Sequence, residues 1–445
     1  LALGRTDEAF EVADAVRGAW GRQLASTAQG RSGLMPAREE LLRRIGSLED
    51  EIRSREEEEQ DIGELQERLT RAEREYEITT LNAGDEGQRS IRPEVPARRI
   101  REGLGPEELM LSYLVTPEQL FVFSLTREQL RARMVPVSAT EIEARVRLAR
   151  QLLADPATVP EEADAVLGIL GQWLLDSVMA GPDRTRRLIL VPHGVLAYLP
   201  FGALKTGGSY LIERYSLVHL PAASFAGSHP SSDTRTMEVT AMAPLPDVLP
   251  GSALEVRAVG RAYRGARILV GRRARERELR AVLQSGAVAH VASHGRLNRM
   301  NPLFSRIELV PGRSSPPEDD GRLEVHEVLG LEIRSPLVFL SGCETGLGPG
   351  SSRRYSPGED YATLAAAFLT AGARQVVATL WAIPDTGAAV FAARFYAELG
   401  RTGPAEALAA AQRALLAGGR FRHPYYWAGY RLAGSEAIAR SPAVL

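Results

Sequence analysis

The sequence predicts an α/β protein, built around a mostly parallel sheet that is flanked by helices and preceded by a helical segment. From about residue 106, apolar runs of strand length alternate with amphipathic stretches of helical length, as in strands joined by helices. The alternation restarts after a polar stretch, GSHPSSDTRT, so we expect two α/β halves. With 445 residues, of which 44% are hydrophobic, the chain is long enough for two or three domains.

The first predicted domain, residues 1–90, is helical. Phe10, Ala13 and Val16 recur at the three- to four-residue spacing of a helix. Two further periodic stretches lie on either side of the polar run SREEEEQD. We expect two antiparallel helices joined by that run, and the alternative is one long helix with a solvated middle. Glycine and proline in NAGDEGQRSIRPEVP then place a domain boundary near residue 90.

Residues 91–230 form the first predicted α/β half. LMLSYLV and LFVFSLT alternate like paired strands around the turn TPEQ. SATEIEARVRLARQLLA and EEADAVLGILGQWLLDSVMA have helical spacing, whereas RRLILVPHG and YLIERYSLVHLP are expected to add strands.

Residues 231–445 form the second predicted half, in which strands and helices alternate more regularly. Buried parallel strands are continuous apolar runs, and MEVTAMAP, ARILVG, AVAHVASHG, SPLVFLSGC and ARQVVATLWAI fit that pattern. Three of these strands end in polar residues, in ASHG, SGCETG and WAIPDT. Open α/β sheets bind ligands at the carboxyl ends of their strands, so these strand ends predict the functional site.

Composition limits the kinds of partner. The net charge of −2 indicates neither nucleic-acid nor membrane binding. The sequence has no apolar run of 18 residues, no signal peptide and, with Lys205 as its only lysine, no Walker phosphate motif. One cysteine cannot form an intrachain disulfide, so we expect a cytoplasmic protein. We also expect neither a metal nor a cofactor. Because the first residue is leucine, we expect a fragment of a longer protein.

The single cysteine, Cys343, stands where an apolar strand ends and a glycine-rich stretch begins. His294 follows another predicted strand, and in a parallel sheet both residues emerge at the same edge. An imidazole beside a thiol is a common nucleophile pair. The backbone N–H groups of Gly295 and Cys343 could then bind the oxyanion that forms during acyl transfer. The alternative is a buried cysteine and a turn histidine that do not meet.

Two other histidines compete with His294. His290 lies four residues earlier in the same strand, about 13 Å away along an extended chain, so the two cannot bind one zinc ion. We expect His290 to be a packed core residue. His193, in VPHGVLAYLPFGAL, has no cysteine near it in the sequence, and we expect it to be structural.

An ordered set of motifs resembles the CHAT domain, a bacterial caspase-like and separase-like family. VAHVASHGRLNRMNPLFSRIEL, SPLVFLSGCETGLG, YATLAAAFLTAGARQVVATLWAIPDTGA and HPYYWAGYRLAG carry the resemblance, and RLILVPHGVLAYLPFGAL resembles the upstream half. The resemblance spans about residues 90–435. It implies a caspase-like catalytic half at 231–445 and a pseudo-protease half at 91–230. CHAT domains commonly follow tetratricopeptide repeats, and LALGRTDEAFEVADAVRGAW resembles the end of one.

The resemblance implies cysteine endopeptidase chemistry, with Cys343 as nucleophile and His294, rather than His290, as base. Caspase-like dyads usually work without a third carboxylate, and we expect Glu344 to be solvated or salt-bridged. SGCETG departs from the commoner family form, which has alanine before the cysteine. We expect Gly342 there to be harmless or to loosen the loop.

A resemblance to separases implies a substrate preference. Separases use an aspartate after the corresponding tryptophan-bearing strand to bind arginine at the residue before the cut. Asp385, which follows Trp381, would then favour a basic residue there. The alternative is that Asp385 or Thr386 caps the next helix. Glu359 and Asp360 pose the same choice, and for them we expect capping.

Three functions remain open at this point. The first is a regulated cysteine endopeptidase whose N-terminal helices receive an activating protein or ligand. The second is a catalytically silent caspase-like scaffold for protein–protein interaction, and the third is a cysteine hydrolase of a non-peptide acyl group. The presence of both Cys343 and His294 favours an active thiol enzyme. The acidic Asp385 favours a peptide substrate with a basic side chain.

Overall fold

A computed structural model gives the architecture for most of the chain. The described residues are 5–29, 35–57, 60–82, 95–176, 184–226, 237–298, 301–312, 319–342 and 364–435. The predicted linker GSHPSSDTRT and the predicted boundary near residue 90 lie outside them. Within these ranges, no helix combines the length and apolar character needed to cross a membrane.

Strands and helices alternate along the described chain. The strands are β1 Glu108–Val115, β2 Leu120–Leu125, β3 Leu130–Val135, β4 Arg187–Val191, β5 Lys205–Thr206, β6 Ser209–Tyr210, β7 Ser216–His219, β8 Val239–Ala243, β9 Arg267–Val270, β10 Val288–Ala292, β11 Gly295–Arg296, β12 Arg306–Glu308, β13 Arg322–Glu324, β14 Leu337–Ser341, β15 Gln375–Thr379 and β16 Tyr430–Gly434. The helices are α1 Thr6–Gln29, α2 Met35–Glu57, α3 Gly63–Asn82, α4 Ala97–Glu102, α5 Ala139–Leu153, α6 Asp164–Gly171, α7 Leu211–Arg214, α8 Pro250–Ala262, α9 Glu276–Ser285, α10 Val325–Val328, α11 Leu364–Thr370, α12 Asp385–Leu399 and α13 Pro404–Ala417.

Among the described residues, eleven strands form one continuous sheet, in the order β3-β2-β1-β4-β7-β16-β15-β14-β10-β8-β9. The two predicted α/β halves are therefore the two ends of a single sheet. They meet at β16, which pairs antiparallel with β15 and, through Ala433 and His219, parallel with β7. This joining strand is not among the predicted strands.

Five strands of the second half, β9, β8, β10, β14 and β15, run parallel to one another. Every residue of β10 is buried, because helices cover both faces of the sheet. This burial explains why these strands are continuous apolar runs in the sequence. The prediction of a mostly parallel sheet flanked by helices is confirmed.

Side chains alternate between two helical layers along β10. Val288 and Ala292 belong to the core that includes α8 and α12, whereas Ala289 and Val291 belong to the core that includes α9 and α11. The helices α8 and α12 also pack against each other. Residues on the Val288 side of the sheet therefore point toward these two helices.

The N-terminal helices pack on both ends of the sheet. The predicted interruption at SREEEEQD is confirmed, since α2 ends at Glu57 and α3 begins at Gly63, and the two helices pack as a hairpin. The hairpin shares a core with the second half of the sheet, through Leu41, Ile45, Leu48, Leu65, Ala72 and Tyr76. Helix α1 instead packs on the first half, where the rings of Phe10 and Phe123 lie 5.7 Å apart.

The predicted strand YLIERYSLVHLP is wrong over Leu211–Arg214, which form the short helix α7. The Tyr210 N–H donates to the Glu213 carboxylate at 2.6 Å, and this contact stabilises the N-terminal end of the short helix α7. Strand β7 begins only at Ser216.

Candidate active site

The predicted strand ends meet at one edge of the sheet. Ala292 of β10 is paired with Ser341 of β14, and the Ser293 N–H extends the pairing by donating to the Ser341 carbonyl at 3.1 Å. His294 follows β10 directly, and Gly342 follows β14. The two segments predicted to carry the base and the nucleophile are thus neighbours at the carboxyl edge.

A cavity of about 50 Å³ opens between these strand ends and the adjoining ends of α8 and α12. Its lining is Leu249, Ser252, Glu255, Ala292, Ser293, His294, Ser341, Gly342, Thr379, Ile383, Asp385 and Ala388. Three predicted features therefore share one cavity: the imidazole, the residue before the cysteine and the acidic candidate Asp385.

His294 is half-buried, and its backbone is fixed by β12. The Glu308 N–H donates to the His294 carbonyl at 2.9 Å, and the Ser293 hydroxyl donates to the Glu308 carbonyl. These two contacts hold the histidine at the cavity wall.

Gly295 pairs with Ile307 between β11 and β12. Because the Glu308 N–H bonds the carbonyl of the residue before Gly295, this pair is a non-hydrogen-bonded pair of the antiparallel ladder. The Gly295 N–H therefore points away from β12. That orientation is compatible with the predicted oxyanion contact, which stays a prediction.

Cys343 itself lies outside the described residues, as do Glu344, Glu359 and Asp360. The described chain reaches Gly342, whose carbonyl accepts a hydrogen bond from the Thr379 hydroxyl of β15. The residue that precedes the predicted nucleophile is thus tied to the next strand while it lines the cavity with His294.

His290 is a core residue, as predicted. It is 0% exposed, and its ring lies 4.7 Å from the Phe339 ring. Its Nε2 lies 3.2 Å from the Glu255 carboxyl oxygen Oε1. Because it is closed off from solvent inside β10, it is not placed to act on a substrate at the edge of the sheet.

His193 also has the predicted structural role. Its Nδ1 accepts a hydrogen bond from the Val115 N–H at 3.1 Å at the end of β1. Burial, with a smaller effect of the Arg17 charge, lowers the pKa of His193 to about 4. The imidazole therefore remains neutral at physiological pH and can accept this bond.

Asp385 does not cap its own helix. Pro384 occupies the N-cap position of α12 without a side-chain hydrogen bond, and Asp385 is the first helical residue. Its Oδ2 accepts instead from the Gly251 N–H of α8 at 3.0 Å. A Cβ at Gly251 would lie 1.9 Å from the Asp385 Cβ, so only glycine admits this approach. The carboxylate is exposed at the cavity, and its contact with substrate stays a prediction.

Trp381 is 6% exposed and lies outside the cavity lining. Its indole N–H donates to the Tyr425 carbonyl at 2.9 Å, and its ring packs against Gly429, where a Cβ would come within 2.8 Å. These contacts fix the chain that leads from β15 to Asp385. The predicted contact of Trp381 with substrate stays a prediction.

The structure adds one acidic residue, Glu255, to the cavity. It lies on α8 with Ser252 and Val259 on the buried face, whereas Leu254 is 52% exposed. A glutamate on the apolar face of a helix, next to an exposed leucine, is the signal in the sequence that could have identified it. Among the described residues, no three His, Cys, Asp or Glu side chains come together as a metal site.

Comparison with known proteins supports this description. The family model of the CHAT domain matches residues 164–435, more than half of the chain. Tetratricopeptide repeat protein 28 of Mus musculus is 27% identical, and that of Homo sapiens 28% identical, over 319 residues and 60% of this chain. The chain spans 13% of the length of these relatives.

A solved structure shares the fold. The chain is similar to a chain of the Saccharomyces cerevisiae separase–securin complex with a TM-score of 0.51 and 12% identity, over 76% of this chain and 30% of that chain. At this identity the likeness shows the fold alone, which is the caspase-like α/β arrangement.

Proposed function

The chain belongs to the CHAT domain family, and from that premise we propose that it is a cysteine endopeptidase in which His294 and Cys343 form the catalytic dyad. The observation that carries the proposal is the shared cavity at the carboxyl edge, where His294 and Gly342 both line the wall. Cys343 is the residue after Gly342. A caspase-like sheet supplies these two strand ends as neighbours, as the paired β10 and β14 do here.

In the proposed reaction His294 takes the proton of the Cys343 thiol, and the thiolate attacks the carbonyl carbon of the scissile peptide bond. The oxyanion that forms accepts hydrogen bonds from the Gly295 and Cys343 N–H groups. As the C–N bond breaks, the imidazolium returns its proton to the leaving amine. Water, deprotonated by His294, then attacks the thioester and releases the acid and the thiol.

We propose that the residue before the scissile bond is basic. Asp385 is exposed at the cavity, and its single described hydrogen bond, from Gly251, leaves acceptor capacity for a cation. A carboxylate in a partly dehydrated site pairs well with a guanidinium. The substrate is therefore a protein segment with an arginine or lysine at that position.

Asp385→Ala is expected to reduce cleavage after arginine about 100-fold and cleavage after an apolar residue only slightly, because only the basic side chain loses its partner. Asp385→Asn separates charge from structure, since its amide oxygen can still accept from the Gly251 N–H. We expect Asp385→Asn to lose nearly as much kcat/KM for cleavage after arginine as Asp385→Ala does. The measurement is kcat/KM on paired fluorogenic peptides, and equal losses on both peptides would assign Asp385 to the α8 contact alone.

We propose that the N-terminal hairpin of α2 and α3 controls this site. Glu73 of α3 accepts from the Asn298 side chain at 3.0 and 3.1 Å, and its carbonyl accepts from the Asn301 side chain at 2.8 Å. Asn298 lies four residues after His294. A protein or ligand that moves the hairpin would therefore pull on the segment that carries the base.

A second set of contacts joins α2 to the small sheet of β11, β12 and β13. Glu49 pairs with Arg306 at 2.9 Å and with Arg322. A cavity of about 520 Å³ lies between the hairpin and this sheet, with Glu49, Arg306 and Arg322 in its lining. The interface is polar and incompletely filled, as expected for a contact that can change.

The hairpin contact is expected to depend on pH. Burial, together with the charges of Glu49 and Glu324, raises the pKa of Glu73 from 4.5 to about 7, although the hydrogen bonds from Asn298 oppose the shift. A carboxyl whose pKa is higher in the folded protein than in the unfolded chain stabilises the fold below the unfolded pKa. That contribution is lost as the pH rises from about 4.5 through about 7, and it amounts to about 3 kcal/mol.

Glu73→Gln is expected to remove this part of the pH dependence and to raise the melting temperature at pH 8. The measurement is thermal unfolding of the full chain between pH 5 and 8, with Glu64→Gln, an exposed position of the same helix, as the control. If the pH slope is the same in Glu73→Gln and in the wild-type protein, the assignment to Glu73 is wrong.

The second candidate function is a catalytically silent scaffold, and the small volume of the cavity favours it. About 50 Å³ holds no more than the end of one side chain, so the substrate backbone could bind only after the site rearranges. A peptidyl acyloxymethyl ketone with arginine at its reactive end separates the two functions. Covalent labelling that is absent in Cys343→Ala supports the peptidase, and no labelling of a folded chain that still binds its partner supports the scaffold.

A further inference from the structure

A group of buried polar side chains lies beneath the candidate active site. Glu255 of α8 is 4% exposed and lines the cavity together with His294 and Asp385. Behind it stand His290 of β10, Tyr396 of α12 and Tyr430 of β16, all fully or nearly fully buried. We refer to these four residues as the inner polar cluster.

The inner polar cluster has unused hydrogen-bonding capacity. Among the residues that the structure describes, Glu255 Oε1, both ring nitrogens of His290 and the hydroxyls of Tyr396 and Tyr430 make no hydrogen bond. Glu255 Oε1 and His290 Nε2 do lie 3.2 Å apart, but without hydrogen-bond alignment. Buried polar groups are normally paired, and Glu255 is the member of the cluster that lines the cavity, so its unpaired Oε1 points to a polar group that enters there.

The charge in the cavity indicates what kind of group enters. Burial and the negative charge of Glu255 both raise the pKa of Tyr396 and of Tyr430 well above the ordinary value, so these hydroxyls stay protonated. The cavity lining contains two carboxyl groups, Asp385 and Glu255, and no arginine or lysine among the described residues. A cation fits this lining, and an anion does not.

The two carboxyl groups occupy different depths. Asp385 is exposed at the start of α12, whereas Glu255 is buried on α8. A guanidinium carries five N–H donors spread over a planar fork and can bond two carboxyl groups on two edges. An ammonium is a compact, strongly hydrated charge and gives up more hydration when it enters a buried site.

We propose that Glu255 is the inner carboxyl group of the pocket for the substrate's basic side chain, and that it selects arginine over lysine. This inference rests on the proposed peptidase function. In it, Asp385 holds one edge of the guanidinium at the mouth of the cavity, and Glu255 Oε1 accepts from an inner N–H. His290, in contact with Glu255, positions that carboxyl group.

The test measures binding, so that it does not depend on catalysis. In the full chain carrying Cys343→Ala, N-acetyl-arginine methylamide, the lysine analogue and the citrulline analogue are titrated and followed by NMR. We expect the arginine compound to bind at least 10-fold more tightly than the other two. Glu255→Gln should weaken arginine binding at least 10-fold and lysine binding less than threefold, which reduces the preference. Glu255→Asp keeps a carboxyl group on a shorter side chain, and its affinity for the arginine compound should lie between those of the starting protein and Glu255→Gln.

The controls separate the possible outcomes. Glu332→Gln, whose side chain is 79% exposed, lies outside the cavity lining and should leave all three affinities unchanged. Arginine affinity that survives both Glu255 substitutions in folded protein overturns the inference while the peptidase proposal stands. No preference for arginine in the starting protein also overturns it. If binding follows the expected pattern but the wild-type protein cleaves no peptide, the result supports the arginine pocket and contradicts the peptidase proposal.

Discussion

Cys343→Ala is expected to abolish peptide cleavage, with a loss of at least about 10³-fold in kcat/KM, while the protein remains folded. In the proposed mechanism no other group can form the thioester, because Cys343 is the only cysteine of the chain. Alanine is close in size to cysteine, so we expect the free energy of unfolding to change by less than about 1 kcal/mol. The measurements are turnover of an arginine-containing peptide and thermal unfolding of the same preparations.

Cys343→Ser provides the matched control for this prediction. A hydroxyl has the shape of the thiol but is a much weaker nucleophile at neutral pH, so serine should also lose turnover and covalent labelling. If the Cys343→Ala protein cleaves at the wild-type rate, the assignment of Cys343 as the nucleophile is wrong.

His294→Ala is expected to reduce turnover about 10²- to 10⁴-fold, because the thiol then loses its general base. His294 lines the cavity and its carbonyl is fixed by the Glu308 N–H, so the substitution removes the imidazole without releasing the backbone. We expect the loss to appear mainly in kcat.

His290→Ala is the comparison that tests which histidine is the base. It empties a site in the core between Phe339 and Tyr396 and removes the imidazole whose Nε2 lies 3.2 Å from the buried Glu255 Oε1. We expect about 3 kcal/mol of destabilisation, from the cavity and the unpaired carboxyl group, and a smaller effect on kcat in protein that remains folded. If folded His290→Ala were the more damaging of the two in turnover, the assignment of the base would be wrong.

The buried strands were predictable because the physics that places them is local. Strands β8, β10, β14 and β15 have helices on both faces, so their sequences are continuous apolar runs. Strand β3, LRARMV, escaped prediction because it is the outermost strand, and most of its residues are exposed or half-exposed. Strands β11 and β13 have only two and three residues, too few for any periodicity.

The candidate site was predictable only in part. His294 could be identified because it follows a buried strand, and the sheet places such residues at one edge. The hydrogen-bond partner of Asp385 could not be identified, since Gly251 lies on another helix and is distant in sequence. Glu255 could not be connected with the site for the same reason, because only the packing of α8 on α12 places it in the cavity.

The position of β16 has a consequence for how the protein is synthesised. The strand lies between β7 and β15, although roughly 200 residues separate it from β7 in the chain. At ribosomal speeds of about 5–20 residues per second, on the order of 10–40 s pass between the synthesis of β7 and the synthesis of its neighbour β16. During that interval a nascent chain exposes an open strand edge, so the growing protein has a defined window in which chaperones, or a wrong strand, can reach it.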